Sequence, residues 1–117
     1  MGKEKFYSLL GLCQKAGKLV AGNTRCESTI RSGKAKLVII SKEASKETAK
    51  RYNRLSERYN LRLITAGSKQ QLGNSIGKVT RTVIVIIDKS FADMIINHIE
   101  ANKSSAGVIN NGENQSI

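Results

Sequence analysis

Apolar residues recur along this chain with two alternating periods. Between Lys5 and Ala16, the residues Phe6, Leu9, Leu10, Cys13 and Ala16 fall at i, i+3, i+4 and i+7 spacings, which predicts a helix with one buried face, ended by Gly17. Leu19-Val-Ala21 then reads as a short strand, punctuated by Gly22-Asn23. Thr24-Arg-Cys-Glu27 has the spacing of a capping box and predicts the start of a second helix, with Cys26 and Ile30 facing the core and Gly33 closing it. The continuous aliphatic run Leu37-Val-Ile-Ile40 is of strand length and fits a strand covered on both faces. From Ser45 to Tyr59 the pattern predicts a third helix, with Ala49, Tyr52, Leu55, Ser56 and Tyr59 on one side and Lys46, Lys50, Arg51, Arg54 and Arg58 on the other. Leu61-Arg-Leu-Ile64 supplies a third strand.

The next stretch is the most specific locally. Ser68-Lys-Gln-Gln71 again has the capping-box spacing, and Gly77 stands where a helix C-terminus needs a residue tolerant of positive φ. Lys78-Val-Thr-Arg81 bridges to Val83–Ile87, the most apolar strand, and Phe91, Ala92, Ile95, Ile96 and Ile99 give a last helix its apolar stripe. Helix and strand alternate strictly from end to end, which predicts an α/β fold with helices on both faces of a sheet. The 117 residues fit one domain, expected over residues 1–102. After Asn102 the composition turns polar, and residues 103–117 read as a flexible tail.

Composition adds a partner class. Lys and Arg number 20 against 9 Asp and Glu, a formal charge of +11, and such an excess points to a polyanion, although net charge also serves solubility. The basic side of the third helix reads as a solvated face interleaved with Glu47 and Glu57. Val83–Ile87 falls far short of the roughly 20 apolar residues of a membrane span, and the N-terminus has no signal-peptide core, so a soluble, cytoplasmic protein is expected; a monomer is expected separately.

Catalytic readings find little support. The chain has one histidine, His98, set in the last helix; Cys13 and Cys26 lie in neither a Cys-x-x-Cys motif nor a zinc-ligand spacing; Asp88 and Asp93 are placed to stabilise a helix N-terminus. No enzymatic activity, cofactor or metal is expected. Nucleic-acid readings fare better, because two basic connections, Gly22-Asn-Thr-Arg25 and Lys78-Val-Thr-Arg81, occur at strand boundaries. Asn23, Thr24 and Arg25 can present hydrogen-bonding groups to base edges, while Lys15, Lys18, Lys34, Lys36 and Lys78 can meet phosphates. With 2 Phe and 3 Tyr and no RNP-type motif, structured RNA is favoured over stacked single strands.

Gly22 with the helix ending at Arg31-Ser-Gly33, the run Lys34-Ala-Lys-Leu-Val-Ile-Ile-Ser41, and Ser68-Lys-Gln-Gln-Leu-Gly73 with Gly77 together resemble the kink-turn RNA-binding ribosomal-protein family of archaeal and eukaryotic large subunits, its bacterial YlxQ-type members above all. The similarity runs from about Phe6 to Ile99. It implies a three-layer α/β/α sandwich around a mixed four-stranded sheet, no enzymatic activity, and structured RNA, with the ribosome, as partner. By position, it implies an RNA-binding site of Gly22, Asn23, Thr24, Arg25 and Ser28 at the second helix, entering a groove at sheared G·A pairs, and of Gly77, Lys78, Val79, Thr80 and Arg81 before the last strand, packing on an extruded nucleotide. Strong kink-turn binders of the family show Gly-x-Asn-Glu-x-x-Lys, whereas this chain has Thr24, Arg25 and Ser28 at the last three fixed positions and Arg81 and Thr82 where small residues are usual. Those departures imply an altered target preference. The competing expectation is a protein-interaction or ribosome-assembly module on the same fold.

Overall fold

The computed structural model describes residues 2–105. Residues 106–117, most of the expected tail, lie outside that range. Nine elements follow in the order α1 (Gly2–Lys15), β1 (Leu19–Ala21), α2 (Asn23–Arg31), β2 (Leu37–Ile40), α3 (Lys46–Arg58), β3 (Leu63–Thr65), α4 (Lys69–Ser75), β4 (Val83–Ile86) and α5 (Lys89–Ser105). The strands form one sheet ordered β1-β4-β2-β3. β4 is antiparallel to both its neighbours, and β2 and β3 are parallel, so the sheet is mixed.

Side-chain alternation in the strands builds the layers. Leu37, Ile39, Ile64, Ile84 and Ile86 turn to one face, where Phe6, Leu9, Leu10 and Cys13 of α1, Leu72 of α4 and Ile95 and Ile99 of α5 close over them. Val38, Ile40, Val83 and Val85 turn to the other, under Cys26 and Ile30 of α2 and Tyr52 and Leu55 of α3. Because both faces of β2 and β4 are covered, these strands are apolar throughout rather than alternating. This is the three-layer α/β/α sandwich expected from the sequence.

Boundaries at α2, β3 and α5 differ from expectation. α2 starts at Asn23 with Gly22 as its N-cap and no side-chain capping bond, so the Thr24 to Glu27 box does not form; the amide of Cys26 already donates to the carbonyl of Gly22 at 2.9 Å, which places Thr24 inside the first turn. β3 begins two residues after Leu61, because the Leu61 amide is taken by the Ser56 carbonyl at 2.7 Å and Leu63 is the first residue in register, opposite Val38. α5 extends to Ser105, three residues into the expected tail. At α4 the expected box is complete: Ser68 Oγ accepts the Gln71 amide at 3.0 Å, and Gln71 Oε1 accepts the Ser68 amide at 2.9 Å. Asp88 takes the N-terminal role expected of it, its carboxylate accepting the Phe91 amide at 2.9 Å.

Candidate nucleic-acid interface

β1 is an edge strand, and the turn at its end aims α2. Gly22 adopts φ 99° and ψ 144°, a backbone conformation that a residue with a Cβ reaches only under strain. Its amide donates to the Val83 carbonyl at 3.3 Å, so the start of α2 is tied to the start of β4. Cys26, fully buried one turn on, points its thiol at the carbonyls of Val20 and Val83 at 3.4 and 3.7 Å. On the other side the buried Tyr52 hydroxyl donates at 2.9 Å to the Asn23 backbone carbonyl, with Asn23 Oδ1 at 3.2 Å. These contacts fix the first turn of α2 from below while Asn23, Thr24, Arg25 and Ser28 remain exposed.

The second candidate segment is held as firmly. Gly77 at φ 76° turns the chain back, and the following loop is bonded to α4 at both ends, Lys78 N–H to the Gly73 carbonyl at 2.8 Å and Arg81 N–H to the Lys69 carbonyl at 3.0 Å. Its middle rests on Gly73: a Cβ there would lie 2.6 Å from Thr80 Cα and 2.7 Å from Val79 C. The Gly73 to Gly77 spacing reads from sequence as helix punctuation, and in the structure Gly73 is the site of a close approach between helix and loop backbone. Val79, in the middle of that loop, is 80% exposed, a large apolar side chain left in solvent.

The two segments meet. Arg25 of α2 and Lys78 and Arg81 of the loop line one hollow of about 460 Å³ that runs along the β1 edge past Leu19 and Ala21. None of the residues lining it is acidic. Lys18 is carried at the far end of that edge, where its carbonyl accepts the Ile87 amide at 3.0 Å. Lys34 and Lys36 are not brought to the hollow. They lie in the α2–β2 connection, where the Lys36 amide donates to the Ile86 carbonyl at 2.7 Å, at the opposite end of β4 from Gly22.

The groups considered for catalysis have other surroundings. Burial pushes the thiols of both Cys13 and Cys26 up to about 12, the nearby Asp88 adding to the rise at Cys13, so both are protonated and poor nucleophiles near neutral pH. Burial likewise raises the Tyr52 hydroxyl. His98 is half-buried on α5, its Nε2 3.3 Å from Asn102 Nδ2. Among the described residues no group of three or more His, Cys, Asp or Glu comes together that could hold a metal ion, and no helix is long and apolar enough to cross a membrane.

A mixed-sheet α/β/α sandwich, with a helix start and a basic loop converging at one sheet edge, is the architecture that this chain shares with a family of ribosomal-protein type. The chain belongs to the ribosomal protein L7Ae/L30e/S12e/Gadd45 family, whose model matches residues 4–96. It is 34% identical over 100 residues to the RNA-binding protein YlxQ of Bacillus subtilis, covering 86% of this chain and all of that protein. It is 33% identical over 91 residues to the large ribosomal subunit protein eL30B of Schizosaccharomyces pombe, covering 75% of this chain and 77% of that one. Among solved structures, a protein of unknown function from Bacillus halodurans C superimposes with a TM-score of 0.79 at 32% identity, over 82% of this chain and 97% of the other.

Proposed function

We propose that this chain is a non-enzymatic RNA-binding domain that recognises a kink-turn or another bent internal-loop RNA. The hollow carries the reading, because it gathers Arg25, Lys78 and Arg81 on a rigid edge with no acidic residue in its lining. Asn23, Thr24, Arg25 and Ser28 face the groove of the RNA from the start of α2, and Gly77, Lys78, Val79, Thr80 and Arg81 form the opposite wall, with Val79 against an unstacked base. Lys18, Lys34 and Lys36 add phosphate contacts outside the hollow. Family membership and the names of the relatives, an RNA-binding protein and a ribosomal protein, support the class. On this reading the domain spans residues 1–102, residues 103–117 form its tail, and the protein acts as a cytoplasmic monomer on ribosomal or related RNA.

Calorimetric titration of a kink-turn RNA against the same stem with its G·A pairs replaced tests the reading. The kink-turn RNA should bind more tightly, and Arg25→Ala should shrink the difference by about 1–3 kcal/mol if Arg25 reads base edges. Equal affinity of the parent protein for both RNAs would remove the specific claim and leave generic phosphate binding.

A further inference from the structure

A second concentration of positive charge lies away from the hollow. On α3, Glu47, Lys50, Arg51, Arg54 and Arg58 recur at i, i+3, i+4, i+7 and i+11, and with Glu27 and Arg31 of α2 they wall a cleft of about 600 Å³. On a solvated helix face each cation would close an ion pair with an acid one turn away, as the spacing of Glu47 to Lys50 and Arg51 and of Arg54 to Glu57 allows. Arg31 does, pairing with Glu27 at 3.0 Å. Lys50, Arg51 and Arg54 form no ion pair among the described residues, and Lys50, Arg54 and Arg58 follow one another at four-residue intervals, where like charges repel across each turn. An anion laid in the cleft turns that repulsion into attraction.

We infer that the α2–α3 cleft is a second RNA contact, taking the sugar–phosphate backbone of a duplex arm that flanks the bend seated in the hollow. This rests on the RNA-binding reading above. α2 connects the two sites, since Arg25 in its first turn lines the hollow and Arg31 at its end lines the cleft, six residues or about 9 Å further along the axis. The row from Glu47 to Arg58 continues for about 16 Å, a length suited to several successive phosphates. Its chemistry fits a backbone rather than bases: the guanidinium forks of Arg51 and Arg54 match phosphate oxygens, and Tyr59, the ring beside the cleft, is already faced by the Arg58 guanidinium, 5.9 Å from its centroid. Glu27 and Glu47 mark where the strand must pass without a phosphate.

The test compares two kink-turn RNAs, one with short arms and one with both arms extended, titrated at several salt concentrations against the full chain. The long-armed RNA should bind the parent protein more tightly. The double variant Arg51→Gln/Arg54→Gln should lose that advantage, with a fall in the salt slope of about 2 and an affinity loss approaching thirtyfold near physiological salt, and it should bind the short-armed RNA as before. Lys46→Gln, on the same helix but outside the cleft, should change neither, and unchanged thermal melting of the double variant shows that it folds. An arm extension that adds no affinity overturns the inference, as does equal weakening of both RNAs or a double variant that loses only a protein partner from a nuclease-treated pull-down. If Arg25→Ala leaves both RNAs bound as before while the double variant weakens the long-armed one, the reading of the hollow fails and the cleft stands.

Discussion

Gly73→Ala separates intrinsic helix propensity from the packing that holds the loop. By propensity alone, alanine in place of glycine inside α4 should stabilise the chain by about 1 kcal/mol. The structure predicts the opposite sign. The added Cβ would stand 2.6 Å from Thr80 Cα and 2.7 Å from both Thr80 N and Val79 C, all backbone atoms, where an ordinary carbon contact needs about 3.5–4.0 Å. The loop must therefore lift by about 1 Å, which strains its two anchoring hydrogen bonds, Lys78 N–H to Gly73 and Arg81 N–H to Lys69, worth about 1 kcal/mol each. With an overpacking cost of about 1–3 kcal/mol, the balance is a net loss of about 1–2 kcal/mol and a Tm lower by roughly 5–10 °C. Thermal denaturation reads the stability, and hydrogen exchange at the Lys78 and Arg81 amides reads the loop itself. RNA affinity should fall by about tenfold, ~1.4 kcal/mol, because Val79 and Arg81 move with the loop. A variant that melts higher than the parent, with both amides protected as before, would refute the argument.

Other expectations follow from the supports beneath α2 and from the buried thiols. Tyr52→Phe removes the hydroxyl that meets Asn23 and should cost about 1–2 kcal/mol in a denaturant titration, with an accompanying rise in the exchange rate of the first α2 amides; an unchanged midpoint would show that the bond is not contributing. Ser68→Ala should cost about 1 kcal/mol through loss of the capping box, whereas Ser68→Asp should retain most of the stability; equal losses would argue against capping as the cause. Both cysteines hold their protons more tightly folded than unfolded, their values being raised from 9.0 to about 12, so stability is fully present below about pH 9 and should decline as the pH rises from there toward 12. Urea midpoints at pH 8 and pH 10.5 should converge for Cys26→Ala relative to the parent; the same decline in both would place its cause elsewhere.

Much of the architecture can be read from periodicity because each element buries one continuous face. The stripe Phe6, Leu9, Leu10 and Cys13 and the runs Leu37–Ile40 and Val83–Ile86 admit few alternatives, and Ser68 with Gln71 carries its cap in its own spacing. The start of α2 cannot be read in the same way. Thr24 and Glu27 have capping spacing, yet the boundary is set by the Gly22 carbonyl and by the long-range tie to Val83, which local sequence does not encode. Gly73 misleads for a related reason, since a glycine needed for contact with a distant backbone is spaced like one that ends a helix. The hollow is legible in part. Arg25, Lys78 and Arg81 are identifiable as basic loop residues, but that Lys34 and Lys36 lie at the other end of β4 follows only from the strand register. The α3 charges show the reverse case: each residue is visible in the sequence, and only the packing of α3 beside α2 turns them into a cleft.

The double anchoring of the 78–81 loop decides which partner must change shape. Tied to α4 at both ends, and facing an α2 start held by Gly22, Cys26 and Tyr52, the protein offers a mould that has little conformational freedom left to lose. If the proposed recognition of a bent RNA holds, the work of bending falls on the RNA. Apparent affinity should scale with the fraction of RNA molecules already bent, so an RNA bent one-tenth of the time binds about ten times more weakly than one held permanently bent, through identical contacts. Discrimination among RNAs can thus arise from their own flexibility, at positions that no side chain of this protein touches.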